Sequence, residues 1–262
     1  MKTIKILGLF VFYIAVGLFL FGFVDLNTFL PKRAISGAKG AGFAVVELFT
    51  SEGCSSCPPA DEVLERLQKE IGDQPIYLLA YHVDYWDRLG WKDTFSSSAY
   101  SDRQGEYGRW FNLSTIYTPQ VVVNGKEEFT GTEESRIRKS ILAQLAVIPS
   151  AILTLDTQKD DIGVKVAYHA EGAIKNTSLL IAIVQKSGHS NVVRGENAGR
   201  GLSHVQIVRS IQIVNLNATG IGNTSIKLPK DLDGQQWEVL GLIQDKSNGK
   251  ILGAAKVIAS DK

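Results

Sequence analysis

The sequence predicts an α/β domain followed by a β-rich, β-sandwich-like domain, with an apolar helix at the N-terminus. Three observations predict it. Residues 43–149 alternate short runs of β-branched and aromatic residues with stretches of helical apolar spacing. From residue 151 the helical spacing fades, and short alternating runs follow one another between Gly, Asn, Asp and Ser turns. Residues 6–24 are an unbroken stretch of apolar residues and glycine. A net charge of +1 without basic runs gives no electrostatic case for a nucleic-acid partner.

The N-terminal stretch follows Lys2 and Lys5. At about 1.5 Å per residue it is long enough to cross a bilayer core, and longer than the apolar centre of most secretory signals. Residues 1–30 are therefore expected to anchor the chain in a membrane. The alternative is a signal segment, with Ser36-Gly37-Ala38 as a distant cleavage site. Residues 31–42 are small, basic and glycine-rich, which suits a linker.

The first domain, residues 43–149, opens on the apolar strand 43–49. Residues 60–71 carry Val63, Leu64, Leu67 and Ile71 on one helical face. A second buried strand is expected at 75–83 and a helix at 96–111. Residues 120–126 read as a strand ending in Asn124-Gly125, the dipeptide of a tight hairpin, with 127–130 returning. Thr132 is expected to cap a last helix with Glu133 and Glu134 in its first turn. Residues 150–262 form the β-rich domain, with strands expected at 151–155, 163–168, 179–185, 206–214, 224–228, 237–244 and 251–258. The boundary falls at Pro149-Ser150.

All the thiol chemistry of the chain lies at Cys54 and Cys57, in Glu52-Gly53-Cys54-Ser55-Ser56-Cys57-Pro58-Pro59. The pair sits between a strand and a helix. Unpaired N–H groups and the helix dipole at such a point favour thiolate, the only form that attacks a disulfide. The spacing lets the two sulfurs close a bond, and Pro58 and Pro59 fit a first turn whose N–H groups lack helical partners. Cys54 is expected to be the exposed nucleophile and Cys57 the more buried resolving thiol. A zinc site would need further ligands, and no second cysteine pair exists, so no resident metal or cofactor is expected. A static disulfide remains the plain alternative.

The first domain resembles the thioredoxin superfamily. Strand, helix, strand, helix, hairpin, helix is the order of that fold. Thr118-Pro119, just before the strand Gln120-Val121-Val122-Val123, matches the position where its members carry a cis-proline. The resemblance implies that the backbone before Pro119 pairs with a bound peptide or mixed disulfide. It also implies a buried acid beneath the second cysteine, for which Glu47 is the candidate proton acceptor, one residue further from the cysteines than the family spacing.

A closer resemblance is to the domain-of-unknown-function 1223 family of bacterial envelope proteins. It rests on Glu47-Leu48-Phe49-Thr50-Ser51-Glu52-Gly53-Cys54, His82-Val83-Asp84-Tyr85-Trp86-Asp87, Tyr117-Thr118-Pro119-Gln120 and Arg194-Gly195-Glu196-Asn197-Ala198-Gly199-Arg200. It implies an inner-membrane protein facing the periplasm or outside, or a periplasmic one if the signal is cleaved. It supplies no substrate.

The expected function is thiol–disulfide exchange, with Cys54, Cys57 and Glu47 as catalytic residues and protein or small-molecule thiols and disulfides as partners. Thr118, Pro119, His82 and Trp86 are the expected substrate-binding residues. His82 ends the second strand at the cysteine end of the sheet, where it would stabilise a thiolate or hold the following loop. Trp86, Trp91 and Tyr85 would form either a binding wall or the core beneath an inserted helix. Arg194, Glu196, Asn197, Arg200 and His204 form a polar cluster expected to brace the two domains, with membership of a site as the alternative. Two rival functions stand beside this one. Cys54, Cys57 and His82 could carry Cu(I), which favours soft thiolates, or the frame could be a binding module with a static disulfide.

Overall fold

The computed structural model describes residues 42–160, 163–232 and 234–258. The expected N-terminal helix and most of the linker lie outside the described residues. Among the described residues no helix is long and apolar enough to cross a membrane.

The first strand, β1 (Ala44–Thr50), is buried along its whole length. Helix α1 (Pro58–Glu70) follows, then β2 (Ile76–His82), α2 (Ser98–Trp110), the hairpin β3 (Gln120–Val123) and β4 (Glu127–Thr130), and α3 (Glu134–Leu145). Seven strands complete the chain: β5 (Ala151–Lys159), β6 (Gly163–Gly172), β7 (Thr177–Asn191), β8 (Gly201–Asn215), β9 (Ile221–Lys227), β10 (Trp237–Asp245) and β11 (Ile251–Ile258).

These strands do not build two separate folds. A thioredoxin-like domain followed by a β-sandwich-like one is overturned by a single mixed sheet of eight strands, ordered β11-β10-β7-β8-β2-β1-β3-β4. The protein is mostly β. Strands β5, β6 and β9 alone form a second, three-stranded sheet. The join is between β2 and β8, parallel at Ala80 and Ile207. Its physical reason is that β2 is buried on both faces, so its free edge would leave backbone donors and acceptors unpaired. The β7–β8 hairpin supplies the partner.

The large sheet buries both faces. Phe49, Tyr81, Leu180, Val184, Leu240 and Leu242 pack with Tyr100 and Tyr107 of α2 on one side. On the other, Leu179, Ile181, Ile183, Val239 and Ile243 meet Leu153, Val164, Val166 and Tyr168 of the small sheet. Strand β1 alternates between these sides. Val45 and Phe49 face α2, whereas Leu48 approaches Ala60 of α1, and Thr50 bonds Asp61 of α1.

Local chemistry explains several boundaries. Asn124 and Gly125 both have positive φ, 50° and 60°, as a two-residue hairpin turn of this hand requires. A Cβ at Gly125 would also stand 1.9 Å from the Gly249 carbonyl oxygen, so only glycine fits. Helix α2 starts at Ser97, whose hydroxyl accepts the N–H of Ala99. Thr132 does not cap α3, which takes Glu133 at that position and has no side-chain cap. The largest difference is at β7 and β8. Both run 15 residues, well past the ends expected from apolar alternation, because their outer arms pair with each other through polar residues such as Ser190 and Ser203.

Candidate functional site

Cys54 and Cys57 form a disulfide with 5.4 Å between their α-carbons. Cys57 is the N-cap of α1, and Pro58 and Pro59 occupy its first positions. The prolines fit the turn but remove two N–H donors from it, so less of the expected thiolate stabilisation is available. Both cysteines are 0% exposed, which corrects the expectation of an exposed Cys54 beside a buried Cys57. Only Ser55 and Ser56 reach solvent between them, and the Ser56 hydroxyl lies 3.3 Å from Cys54 Sγ.

The loop carrying the cysteines is held from the far half of the chain. Asn197, buried between β7 and β8, donates from Nδ2 to the backbone carbonyls of Glu52 and Cys54, both at 2.9 Å. Glu196 accepts the N–H of Ser55 at 3.0 Å. The Ser55 hydroxyl first, and then that N–H, hold the Glu196 carboxyl below its ordinary range. Arg200 in turn donates to Asn197 Oδ1 at 2.8 Å. Glu196, Asn197 and Arg200 of the polar cluster expected to brace the two domains therefore hold the CxxC loop itself.

Behind the loop lies a set of buried ionisable groups. His82 Nδ1 is 2.8 Å from Asp93 Oδ2, which also accepts the N–H of Glu52 at 2.8 Å. Burial pushes the Asp93 pKa up, but His82 and these N–H donors outweigh it and hold the group below the usual carboxylate value. Glu52, fully buried, accepts Trp91 Nε1 at 2.7 Å. His204 of β8 lies between two acids, with Nε2 3.6 Å from Glu52 Oε1 and Nδ1 3.7 Å from Asp61 Oδ2. Burial alone would lower its pKa. Asp61 above all, with Glu52 and Asp93, reverses that and raises it to about 10, so the ring is an imidazolium at neutral pH. The His82 and His204 rings meet edge to face, 4.6 Å between centroids. Four atoms here have no hydrogen-bond partner: Glu52 Oε1, His82 Nε2 and both ring nitrogens of His204.

Glu47 is elsewhere. It points to the α2 side of β1, where Arg103 Nε donates to Oε1 at 2.6 Å and Tyr107 hydroxyl donates to Oε2. Arg103 and Tyr107 also bond Gln244 of β10. The structure does not bring Glu47 to the α1 side, where Asp61 stands.

Thr118-Pro119 is a cis peptide. Pro119 lies beside Gly131, whose missing side chain leaves room for Ala60 of α1 as well. Trp86 connects this turn to the cysteine loop. Its Nε1 donates to Thr118 Oγ1 at 2.8 Å, while its Cβ packs so close to Gly53 that a side chain there would be crowded. Tyr85 is tied to Gln104 and Trp91 to Glu52, so none of the three aromatics is a free binding wall. Thus Trp86 links the Thr118-Pro119 turn to the loop that carries Cys54 and Cys57, and His82 reaches the same loop through Asp93.

Glu52, Asp61 and Asp93 are the members that sequence reasoning missed as site residues, while Asn197 and His204 were read first as a brace. The available signal was an ionisable residue within each buried segment, Glu52 and Asp61 flanking the cysteines and His204 in a polar–apolar alternation. Among the described residues, no three His, Cys, Asp or Glu side chains are arranged to hold one metal ion.

A family model described as "Protein of unknown function (DUF1223)" matches residues 45–244. The crystal structure of a protein from Agrobacterium tumefaciens is similar at 25% identity and a TM-score of 0.62, covering 87% of this chain and 98% of that one. A β-glucosidase from Kluyveromyces marxianus matches 43% of this chain and 14% of its own at a TM-score of 0.22 and 14% identity, which carries no argument. No curated protein matches.

Proposed function

The chain belongs to the DUF1223 family, whose function is unknown, and from the geometry of its site we propose that Cys54 and Cys57 are the redox centre of a thiol–disulfide oxidoreductase of the bacterial envelope. One observation carries this reading. The disulfide closes at the start of α1 between Glu52 and Asp61, two buried acids that both approach the His204 ring, a setting that could hold protons released or taken up by thiols.

In the oxidising direction a substrate thiolate attacks Cys54 Sγ, the Cys54–Cys57 bond breaks, and the electron pair leaves on Cys57 as a thiolate. A second substrate thiolate then attacks the substrate sulfur of the mixed disulfide and releases Cys54. Two electrons pass to the protein, and the substrate leaves with a disulfide. The reducing direction is the reverse. Asp61 lies one helical turn beyond Cys57, and its N–H donates to the Cys57 carbonyl at 3.2 Å. Asp61 and His204 are the proton store in this scheme, and Glu47, paired with Arg103 on the other face, is not. The backbone at Thr118-Pro119 is the edge on which a peptide would pair. The apolar run at residues 6–24 supports placement at a membrane.

The direct test is reduction of a model disulfide by the full chain after prior reduction, with Cys54→Ser as the control. Turnover lost in the variant supports the reading, and equal rates in both proteins would sink it.

A second reading has its own observation, the complete burial of both cysteines, which suits a static disulfide in a binding module. The potential of the couple separates the two. A value below about −300 mV belongs to a structural bond, and a higher one to a bond that exchanges.

A further inference from the structure

The exchange proposed above places a negative charge on Cys54 Sγ, and that charge needs hydrogen-bond donors. The backbone around the cysteines has few left. The Glu52 N–H goes to Asp93, that of Gly53 to the Ser51 hydroxyl, that of Cys54 to the Ser51 carbonyl and that of Ser55 to Glu196. The Cys57 N–H goes to the Cys54 carbonyl, and those of Ala60 and Asp61 go to the Cys57 carbonyl. Pro58 and Pro59 have no N–H at all. From Glu52 to Asp61, the Ser56 N–H alone is uncommitted among the described residues.

Neighbouring charges do not supply what the backbone lacks. Glu52 and Asp61 are buried on either side of the cysteines, and Glu196 lies against Ser55. All three disfavour a further negative charge, and so does burial of the sulfur. His204 is set between Glu52 and Asp61, and His82 is paired with Asp93. Arg194 and Arg200 are exposed, where solvent and salt screen them, and Arg200 is turned to Asn197 Oδ1. The polar atom that does reach the sulfur is the Ser56 hydroxyl, 3.3 Å from Cys54 Sγ. In the disulfide the sulfur carries no proton, so the hydroxyl is the donor. Ser56 is exposed, and its side chain makes no other hydrogen bond among the described residues.

We infer that Ser56 is a catalytic hydrogen-bond donor, whose hydroxyl holds the negative charge on Cys54 Sγ whenever that sulfur is the nucleophile or the leaving group. The inference rests on the redox reading for its use in turnover, but not for the hydrogen bond itself. In the reducing direction the Cys54 thiolate attacks a substrate disulfide, whose S–S bond breaks, and the electron pair leaves on the second substrate sulfur. The Cys57 thiolate then attacks Cys54 Sγ and releases the first substrate sulfur as a thiolate. Two electrons pass from the protein to the substrate. In the oxidising direction Cys54 is instead the thiolate released from the mixed disulfide. The serine proton stays on its oxygen throughout, because the hydroxyl acts as a donor and not as an acid.

The test uses the full chain with Cys57→Ser, in which Cys54 is the sole thiol, and follows its titration by thiolate absorbance. Adding Ser56→Ala is expected to leave about three- to tenfold less thiolate at neutral pH, and Ser56→Thr to restore it. Ser55→Ala is the control, because that hydroxyl serves Glu196, and it should leave the titration in place. With both cysteines present and reduced, exchange with oxidised glutathione should then show crossing pH profiles. Ser56→Ala should be about two- to fourfold slower where Cys54 is mostly thiol, for want of thiolate. It should be about two- to threefold faster where Cys54 is fully ionised, because the more basic thiolate is the better nucleophile. An unchanged titration in Ser56→Ala, an equal change in Ser55→Ala, or no recovery in Ser56→Thr overturns the inference. A shifted titration without exchange in any variant upholds the hydrogen bond and overturns the redox reading. Exchange with the same pH profile in wild type and Ser56→Ala overturns the inference alone.

Discussion

The two faces of β1 each bury a cluster of ionisable residues, and the clusters differ in how completely they are satisfied. On the α2 face, Glu47, Arg103, Tyr107 and Gln244 bond one another, with Arg103 also stacked over the Tyr81 and Tyr107 rings. On the α1 face, Glu52, Asp61, His82, Asp93 and His204 leave four polar atoms without a hydrogen bond, three of them held only by longer ion-pair contacts. A closed network holds one arrangement and gives up little by rigidity. An open one retains the capacity to accept or pass a proton, at a cost in stability. The first holds the sheet to α2, and in the redox reading proposed above the second serves the cysteines.

The largest effect should come from breaking the closed network. Arg103→Ala leaves the Glu47 carboxylate buried and uncompensated, and chemical denaturation should show a loss of about 3–5 kcal/mol. The equilibrium of Cys54–Cys57 with a thiol buffer should not move. If it does, the two faces are coupled and the division of labour is wrong.

Next comes the open cluster. His204→Gln removes the cation between Glu52 and Asp61 and should cost about 2 kcal/mol, less than Arg103→Ala because the contacts are longer. Its pH dependence carries the argument. His204 is raised from 6.5 in the unfolded chain to about 10 in the fold. The stabilisation is fully present below pH 6.5 and is lost as pH rises through about 10. The stability difference between wild type and variant should therefore be flat in acid and shrink steadily toward pH 10. A difference that does not change with pH would mean that the ring is held neutral.

Asn197→Ala comes third. It removes two buried hydrogen bonds from the loop that carries Cys54, for a loss of about 1–2 kcal/mol. Because the disulfide is buried while that loop is held, reduction by dithiothreitol should become faster, by about tenfold if the loop controls access. An unchanged rate in a destabilised variant would show that something else covers the sulfurs.

Much of this was legible in the sequence, and the comparison explains what was not. The order of elements from 44 to 145, the turn at Asn124-Gly125 and the pairing of Cys54 with Cys57 follow from local patterns, which depend on a few neighbouring residues. The partition of the later strands does not. Strands β7 and β10 carry continuous apolar runs where β5, β6 and β9 alternate, which marks burial on both faces, but neither pattern says that β8 will complete the buried edge of β2. The buried histidine and acids were hidden for the same reason. His204 meets Asp61 across 143 residues only because β8 lies beside β2. Glu47 misled in the opposite way, since its position in an apolar strand marks burial but not which face it takes or which arginine it meets.

The smallest effect tests the link between the cysteine loop and the cis-proline turn. Trp86→Phe keeps the ring packed near Gly53 but deletes the Nε1 donor to Thr118 Oγ1, for a loss of about 1 kcal/mol. Neither buried network contains Trp86, so the His204 pH profile and the stability conferred by Arg103 should both be unchanged. What should change is the dependence of exchange rate on peptide length. If Thr118-Pro119 supplies the pairing edge, the variant should slow exchange with a peptide disulfide while leaving exchange with dithiothreitol as fast as before. Equal slowing of both would assign Trp86 to the cysteine loop alone, and no slowing of either would remove the cis-proline turn from the site.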